Sequence, residues 1–295
     1  MPAYSHLKVM MIGNHKGGVA KTTLSKLTTE YFVRRRIRVL GIDIDPQCNF
    51  SARFIQMANN GTDPPVHPDF DPNDKTWDDM PYPPPGYWSI AQFYKLGYAD
   101  PYPTDSPNLH FIPSHKKELT EFLEQVERVR VQEAVIDHMR EMLSVEYFQE
   151  NFDLVVIDTP PQTSALTASA ARAATHLLIP SEMQEDSVDG MADMAQLWMS
   201  ENTRRPVGDK LQLVGILPTK YDSQSAAQRR SLESIEQHRE LGSKLIYPPM
   251  RYLQTYANSS STYANPRSLF DMHVSTPARK EAEEFCHIIY ERIFQ

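Results

Sequence analysis

Residues 9 to 23 read Val9-Met10-Met11-Ile12-Gly13-Asn14-His15-Lys16-Gly17-Gly18-Val19-Ala20-Lys21-Thr22-Thr23. A short apolar run breaks into a glycine pair and a Lys-Thr, and Leu24, Leu27, Tyr31 and Phe32 then follow at helical spacing. The stretch reads as strand, loop, helix. A glycine-rich turn entering a helix aims several backbone N–H groups at one point, where the helix dipole also favours negative charge. Gly17 and Gly18 let the backbone approach an anion, Lys21 is placed to reach β- and γ-phosphate oxygens, and the Thr22 hydroxyl can complete the shell of a Mg2+ ion. The usual pattern G-x-x-x-x-G-K-[ST] expects glycines at 15 and 20, where His15 and Ala20 stand. If Ala20 takes a positive φ, its Cβ costs about 1 to 2 kcal/mol. Taken alone, the loop leaves open a plain Gly-Gly turn before an amphipathic helix.

Three further segments bear on that choice. Gly41-Ile42-Asp43-Ile44-Asp45-Pro46-Gln47-Cys48-Asn49 ends an apolar strand in two carboxylates, and Phe152-Asp153-Leu154-Val155-Val156-Ile157-Asp158-Thr159-Pro160-Pro161 does so in one. In open α/β sheets, ligands sit at that carboxyl edge. Leu217-Pro218-Thr219-Lys220-Tyr221-Asp222 closes a later strand.

Lys16-Gly17-Gly18-Val19-Ala20-Lys21-Thr22-Thr23 resembles the deviant Walker A motif of the ParA/MinD family of ATPases, in which the early lysine is the family's mark. Residues 41–49 are similar to the family's D-x-D-P-Q-x-N segment, residues 152–161 to its Walker B strand, and residues 218–222 to its base-binding loop. The resemblance implies ATP as substrate, Mg2+ as cofactor and weak, partner-stimulated hydrolysis. It implies nucleotide contacts along 16–23 and at Pro218, Thr219, Lys220, Tyr221 and Asp222. It places Mg2+ on Thr22, Asp43 and Asp158, directly or through water, and gives Asp45 the attacking water. Lys16 is implied to cross a face-to-face homodimer to the partner's ATP. Two departures stand out: Gln184 occupies a position where the family often has glutamate, and Ser223-Gln224 follow Tyr221-Asp222 where an arginine is common.

Composition sets the limits. The 295 residues suit one large α/β domain over 1–295. No run approaches 18 apolar residues, and the first residues lack the charged and apolar parts of a signal peptide, so a cytoplasmic protein is expected. Cys48 and Cys286 have no metal-ligand spacing and read as buried thiols. The net charge of -8 argues against wholesale wrapping by nucleic acid, but residues 204 to 280 carry twelve Lys/Arg against six Asp/Glu. Residues 57 to 107 hold eleven prolines and form an acidic insertion of irregular structure, with a short helix at 89–94.

Elsewhere, strands near 37–44, 108–114, 177–180 and 211–217 alternate with helices at 22–36, 116–142, 163–174, 187–199, 226–241 and 277–294. The alternation predicts a single doubly wound, mostly parallel sheet flanked by helices. The arginine run Arg34-Arg35-Arg36 reads as cations at a helix C-terminus.

The resemblance points to a ParA-type partition ATPase, associated with the nucleoid and lacking an N-terminal helix-turn-helix extension. Its ATP dimer would bind DNA without sequence preference and be released when a ParB-like adaptor stimulates hydrolysis. Arg204, Arg205, Lys220, Arg229, Arg230, Lys244, Arg251 and Arg267 are the candidate phosphate contacts, with weight only as a cluster. The alternative is a MinD-like membrane-cycling ATPase, which needs a basic amphipathic C-terminal helix. The tail here is acidic on its polar side, and no membrane partner is expected. A non-hydrolysing ATP scaffold would not need the intact Asp45 and Asp158.

Overall fold

The apolar runs become the strands of one seven-stranded sheet in the computed structural model, which describes residues 4–71, 86–129, 132–260 and 268–295. In chain order the elements are β1 (Lys8–Ile12), α1 (Lys21–Arg34), β2 (Val39–Asp43), α2 (Ser51–Phe54), α3 (Ile90–Leu96), β3 (Tyr102–Pro103) and β4 (Leu109–Ile112). Then come α4 (Lys116–Val129), α5 (Gln132–Leu143), α6 (Glu146–Asn151), β5 (Leu154–Asp158), α7 (Ala165–Ala173) and β6 (His176–Glu182). The chain closes with α8 (Glu185–Arg204), β7 (Gln212–Thr219), α9 (Ala226–Gln237), α10 (Gln254–Ser260) and α11 (Pro277–Phe294). The sheet order is β3-β4-β2-β5-β1-β6-β7, parallel throughout except for the antiparallel pair β3–β4.

The central strands are buried on both faces, which is why their sequences are continuous apolar runs rather than alternations. Val9 and Met11 of β1 and Val155 and Ile157 of β5 enter one core cluster, while Met10, Ile12, Leu154 and Val156 enter the other. The first core is covered by α3 to α5, α7 and α8, and the second by α1 and α11. Phe285, Cys286, Ile289 and Ile293 turn the apolar stripe of α11 inward, so the C-terminal helix is spent on packing. Among the described residues, no helix is long and apolar enough to cross a membrane.

The arginine run ends α1 as expected. Arg34 pairs with Asp271 at 2.5 Å, and the Arg35 guanidinium lies 4.3 Å from the Tyr31 ring and 5.5 Å from that of Tyr290, tying α1 to α11.

The helix expected over 116–142 is described as α4 and α5, on either side of residues 130 and 131, which lie outside the described residues; Phe122 of α4 stacks on Tyr94 of α3, and α5 lies along α7. The proline-rich insertion contributes β3, whose Pro103 is tolerated because the strand is at the sheet's edge. Of its aromatics, Trp88, Phe93, Tyr94 and Tyr102 are buried, while Tyr87 and Tyr98 are exposed. Trp77 and Tyr82 lie outside the described residues.

Candidate nucleotide site

The carboxyl ends of β1, β2, β5, β6 and β7 meet at one edge, and the loop between β1 and α1 lies across it. The loop is braced from outside its own motif. Asn14, buried, donates from Nδ2 to Pro180 O at 2.8 Å and accepts the Lys16 N–H on Oδ1 at 2.8 Å. The Thr219 hydroxyl donates to Val19 O at 3.1 Å, and Val19 itself is buried. Gly17 and Gly18 are exposed, as a loop receiving an anion must be. Gly18 has φ 82°, and Ala20 has φ 65°, the left-handed backbone that its Cβ resists. Half-buried His15, standing at the first missing glycine, contacts Thr163 at 3.3 Å and Asp193 at 3.8 Å, and burial lowers its pKa.

Lys21 opens α1, and its ammonium donates to Asn14 O at 2.9 Å and Lys16 O at 2.7 Å. It curls over the inside of the loop, where burial lowers its pKa against the opposing pull of Asp158. One turn of helix puts Thr22 and Ser25 against Asp158: Thr22 Oγ1 donates to Oδ2 at 2.8 Å and Ser25 Oγ to Oδ1 at 2.7 Å. Thr23, beside them, is half-buried.

Asp43 and Asp158 are register partners at the ends of β2 and β5, both fully buried. Burial raises both pKa values well above the carboxylate range, with the Asp158 carboxylate adding to the rise at Asp43 and the Asp45 carboxylate to that at Asp158. A hydroxyl and a carboxylate at 2.8 Å, with a second carboxylate on the next strand, form a hard-oxygen set whose charge a divalent cation would satisfy. Thr22 and Asp158 therefore fit a Mg2+ site.

Asp43 is bound into its own loop. Its Oδ2 accepts the Ser51 N–H at 2.8 Å and hydroxyl at 2.7 Å, and Oδ1 accepts the Asp45 N–H at 3.0 Å. Its shown contacts orient the segment that carries Asp45 rather than reach Thr22. Asp45, half-buried, accepts the Gln47 N–H at 2.9 Å.

Beyond β7, Pro218 O accepts the Met250 N–H at 2.9 Å, and the Tyr221 N–H donates to Met250 O at 3.0 Å. Asp222 accepts the Gln224 N–H at 2.9 Å in a turn that leads to α9, which Ser225 caps. Lys220 pairs with Glu182 at 2.9 Å.

A family described as an AAA domain matches residues 7–206. The chain is 30% identical over 274 residues to "Putative replication protein A" of Rhizobium rhizogenes, covering 90% of this chain and 62% of that protein's length. It is 25% identical over 241 residues to the chromosome-partitioning ATPase Soj of Thermus thermophilus, covering 80% of this chain and 78% of Soj. The chain belongs to the ParA/MinD family of ATPases. Among solved structures, apo McdA of Cyanothece superposes with a TM-score of 0.72 at 17% identity, over 97% of this chain and all of that one, a likeness of fold.

Against this ParA/MinD frame, the candidate DNA contacts separate. Arg204, Arg229 and Arg230 are exposed and Lys244 is half-buried. Arg204 lies 3.6 Å from Glu201, and Arg229 donates to Ser223 O at 2.6 Å. Arg205 is a correction: its side chain is 3% exposed and it holds Ala174 O, Ala171 O and Arg172 O at the end of α7. Sequence position could not tell it from Arg204 beside it. Arg251 spends its guanidinium on Glu281, and Lys220 belongs to the loop edge. Arg267 lies outside the described residues.

Sequence reasoning also passed over Asn14, Ser25 and Ser51. Ser25 and Ser51 are each readable only once a strand-end carboxylate is placed beside them.

Proposed function

We propose that this chain is an ATP-dependent partition ATPase, one domain over 1–295 with an insertion at 57–107, whose ATP-bound sandwich dimer binds DNA without sequence preference. The observation that carries the reading is the meeting of Thr22 and Ser25 with Asp158 beneath a loop whose Lys21 is already drawn inward. That corner supports ATP with Mg2+ as the occupant. Exposed Gly17 and Gly18 and the N–H groups through Thr23 receive the phosphates, and Lys21 exchanges its carbonyl partners for phosphate oxygens. Thr22 and Asp158 hold Mg2+, with Asp43 acting on Asp158 from the neighbouring strand. When bound, the ion neutralises charge that develops on the transferred phosphoryl group.

Asp45 orients the attacking water, whose addition to the γ-phosphorus releases ADP and inorganic phosphate. Asp43 and Ser51 fix the backbone from which Asp45 acts. Lys16, from the partner subunit's copy, completes the phosphate shell, so ATP becomes part of the dimer interface and hydrolysis loosens it. Pro218 to Asp222 flank the base. Arg204, Arg229, Arg230 and Lys244 supply the DNA face, and a ParB-like adaptor stimulates turnover. A cytoplasmic protein held on the nucleoid, moving plasmid, chromosome or protein cargo, follows from this cycle.

The test is retention on non-specific duplex DNA at about 0.1 M salt with no nucleotide, ADP or ATP–Mg2+, beside anionic liposomes. Salt-sensitive binding to DNA with ATP alone is expected. Binding to liposomes in place of DNA would move the protein to the membrane-cycling branch.

A further inference from the structure

Lys220 is the first residue beyond β7 and sits at φ 48°, a left-handed backbone that side chains other than glycine rarely adopt and that tends to persist where the surroundings hold it. Its side chain has one partner and overhangs one neighbour. Its ammonium pairs at 2.9 Å with Glu182, the last residue of β6, whose side chain is 13% exposed. The same ammonium stands 3.7 Å from the point where a Cβ on Gly18 would lie, so it overhangs the exposed side of the phosphate loop. A loop whose N–H groups converge, with Lys21 curled inside it, is an electropositive place. A second cation is out of place there unless an anion arrives or a carboxylate restrains it.

We propose that Lys220 is a second phosphate-directed cation of the nucleotide site, and that Glu182 restrains it until a nucleotide's phosphate chain takes its place. The inference rests on the nucleotide reading above and deepens it. Binding a nucleotide exchanges the Glu182 carboxylate for a phosphate oxygen on Lys220, and leaves Glu182, mostly buried, to be resolvated. The pair therefore lowers nucleotide affinity while Lys220 raises it, and the two residues act with opposite sign. Lys220 is a binding and positioning residue of the loop, and the strained backbone serves to aim it across Gly18.

The experiment is calorimetric titration of ADP and of ATP–Mg2+ into the full chain as wild type, Lys220→Met, Lys220→Arg, Glu182→Gln and Lys21→Ala, with thermal melts to confirm folding. Loss of a charge-assisted hydrogen bond should raise Kd for both nucleotides about tenfold or more in Lys220→Met, with most of the affinity kept in Lys220→Arg. Glu182→Gln, which frees the lysine at almost unchanged shape, should lower Kd several-fold. The proposal is overturned if Glu182→Gln weakens binding in the same direction as Lys220→Met, since the pair then merely braces β6 against β7. It is equally overturned if Lys220→Met binds as wild type does. Failure of the nucleotide reading would look different: wild type and Lys21→Ala would bind alike, or neither would bind.

Discussion

Arg205→Ala separates a packing arginine from a DNA contact, and its cost can be worked from the fold. The side chain enters between α7 and α8 and donates to Ala174 O at 2.8 Å, Arg172 O at 2.8 Å and Ala171 O. These are carbonyls at the C-terminus of α7, which a helix leaves without intrahelical partners. Its Nε also lies 3.8 Å from Glu201, which Arg172 holds at 2.8 Å. Burial and the nearby Arg140 cation lower the Arg205 pKa, so the charge is held at a cost that these acceptors offset. Truncation would take this donor from Ala174 O and Ala171 O and leave Glu201 with less counter-charge, while Arg172 O keeps the Arg140 guanidinium at 3.1 Å. Removing one partner from such a buried network costs about 3 to 5 kcal/mol. For a chain of 295 residues that corresponds to a fall in Tm of about 5 to 8 °C. Urea denaturation would measure the cost, and DNA retention of the folded fraction with ATP would measure function. The expected result is a large loss of stability with DNA binding intact. A variant of wild-type stability that no longer holds DNA would refute the assignment.

Other outcomes follow from the same geometry. Asp45→Ala should reduce phosphate release to background and trap an ATP dimer on DNA, and normal turnover would remove Asp45 from the chemistry. Lys16→Ala should abolish ATP-driven dimerisation in light scattering while nucleotide still binds. Gly41→Ala would place a Cβ 2.4 Å from the Phe111 ring, and the stiff ring makes overpacking of about 1 to 3 kcal/mol the expected loss in chemical denaturation. His176 is buried, and desolvation pulls its pKa down to about 4, so the fold holds it neutral while the unfolded chain takes up a proton from about pH 6.5. Stability should be full above that pH and fall by up to about 3 kcal/mol as pH drops toward 4, a slope that His176→Asn should remove from urea midpoints.

The strands that deliver Asp43 and Asp158 were legible because each is a continuous apolar run that must be buried on both faces, and the phosphate loop because glycines, lysine and threonine stand at fixed offsets. What escaped was set by tertiary neighbours. Arg204 and Arg205 are identical in sequence character, and only the direction of the last turn of α8 sends one to solvent and the other under α7. β3 was hidden because proline normally argues against a strand, and Pro103 is permitted only by its place at the edge.

The alanine at position 20 shows how the loop tolerates departure from its pattern. A residue at φ 65° with a Cβ is disfavoured by about 1 to 2 kcal/mol relative to glycine. The offset comes from groups beyond the motif. Asn14 ties the loop's entry to β6, Thr219 ties Val19 to β7, and the Thr159 hydroxyl binds Ile12 O at 2.8 Å where β1 ends. Ala20 also packs against the core beneath α1, so its methyl group recovers some burial energy that glycine would forgo. The loop's shape is therefore imposed by three neighbouring strands as well as by its own glycines. A loop held that way can present its N–H groups in place before any anion arrives, which is the condition for binding a phosphate chain without first ordering the backbone.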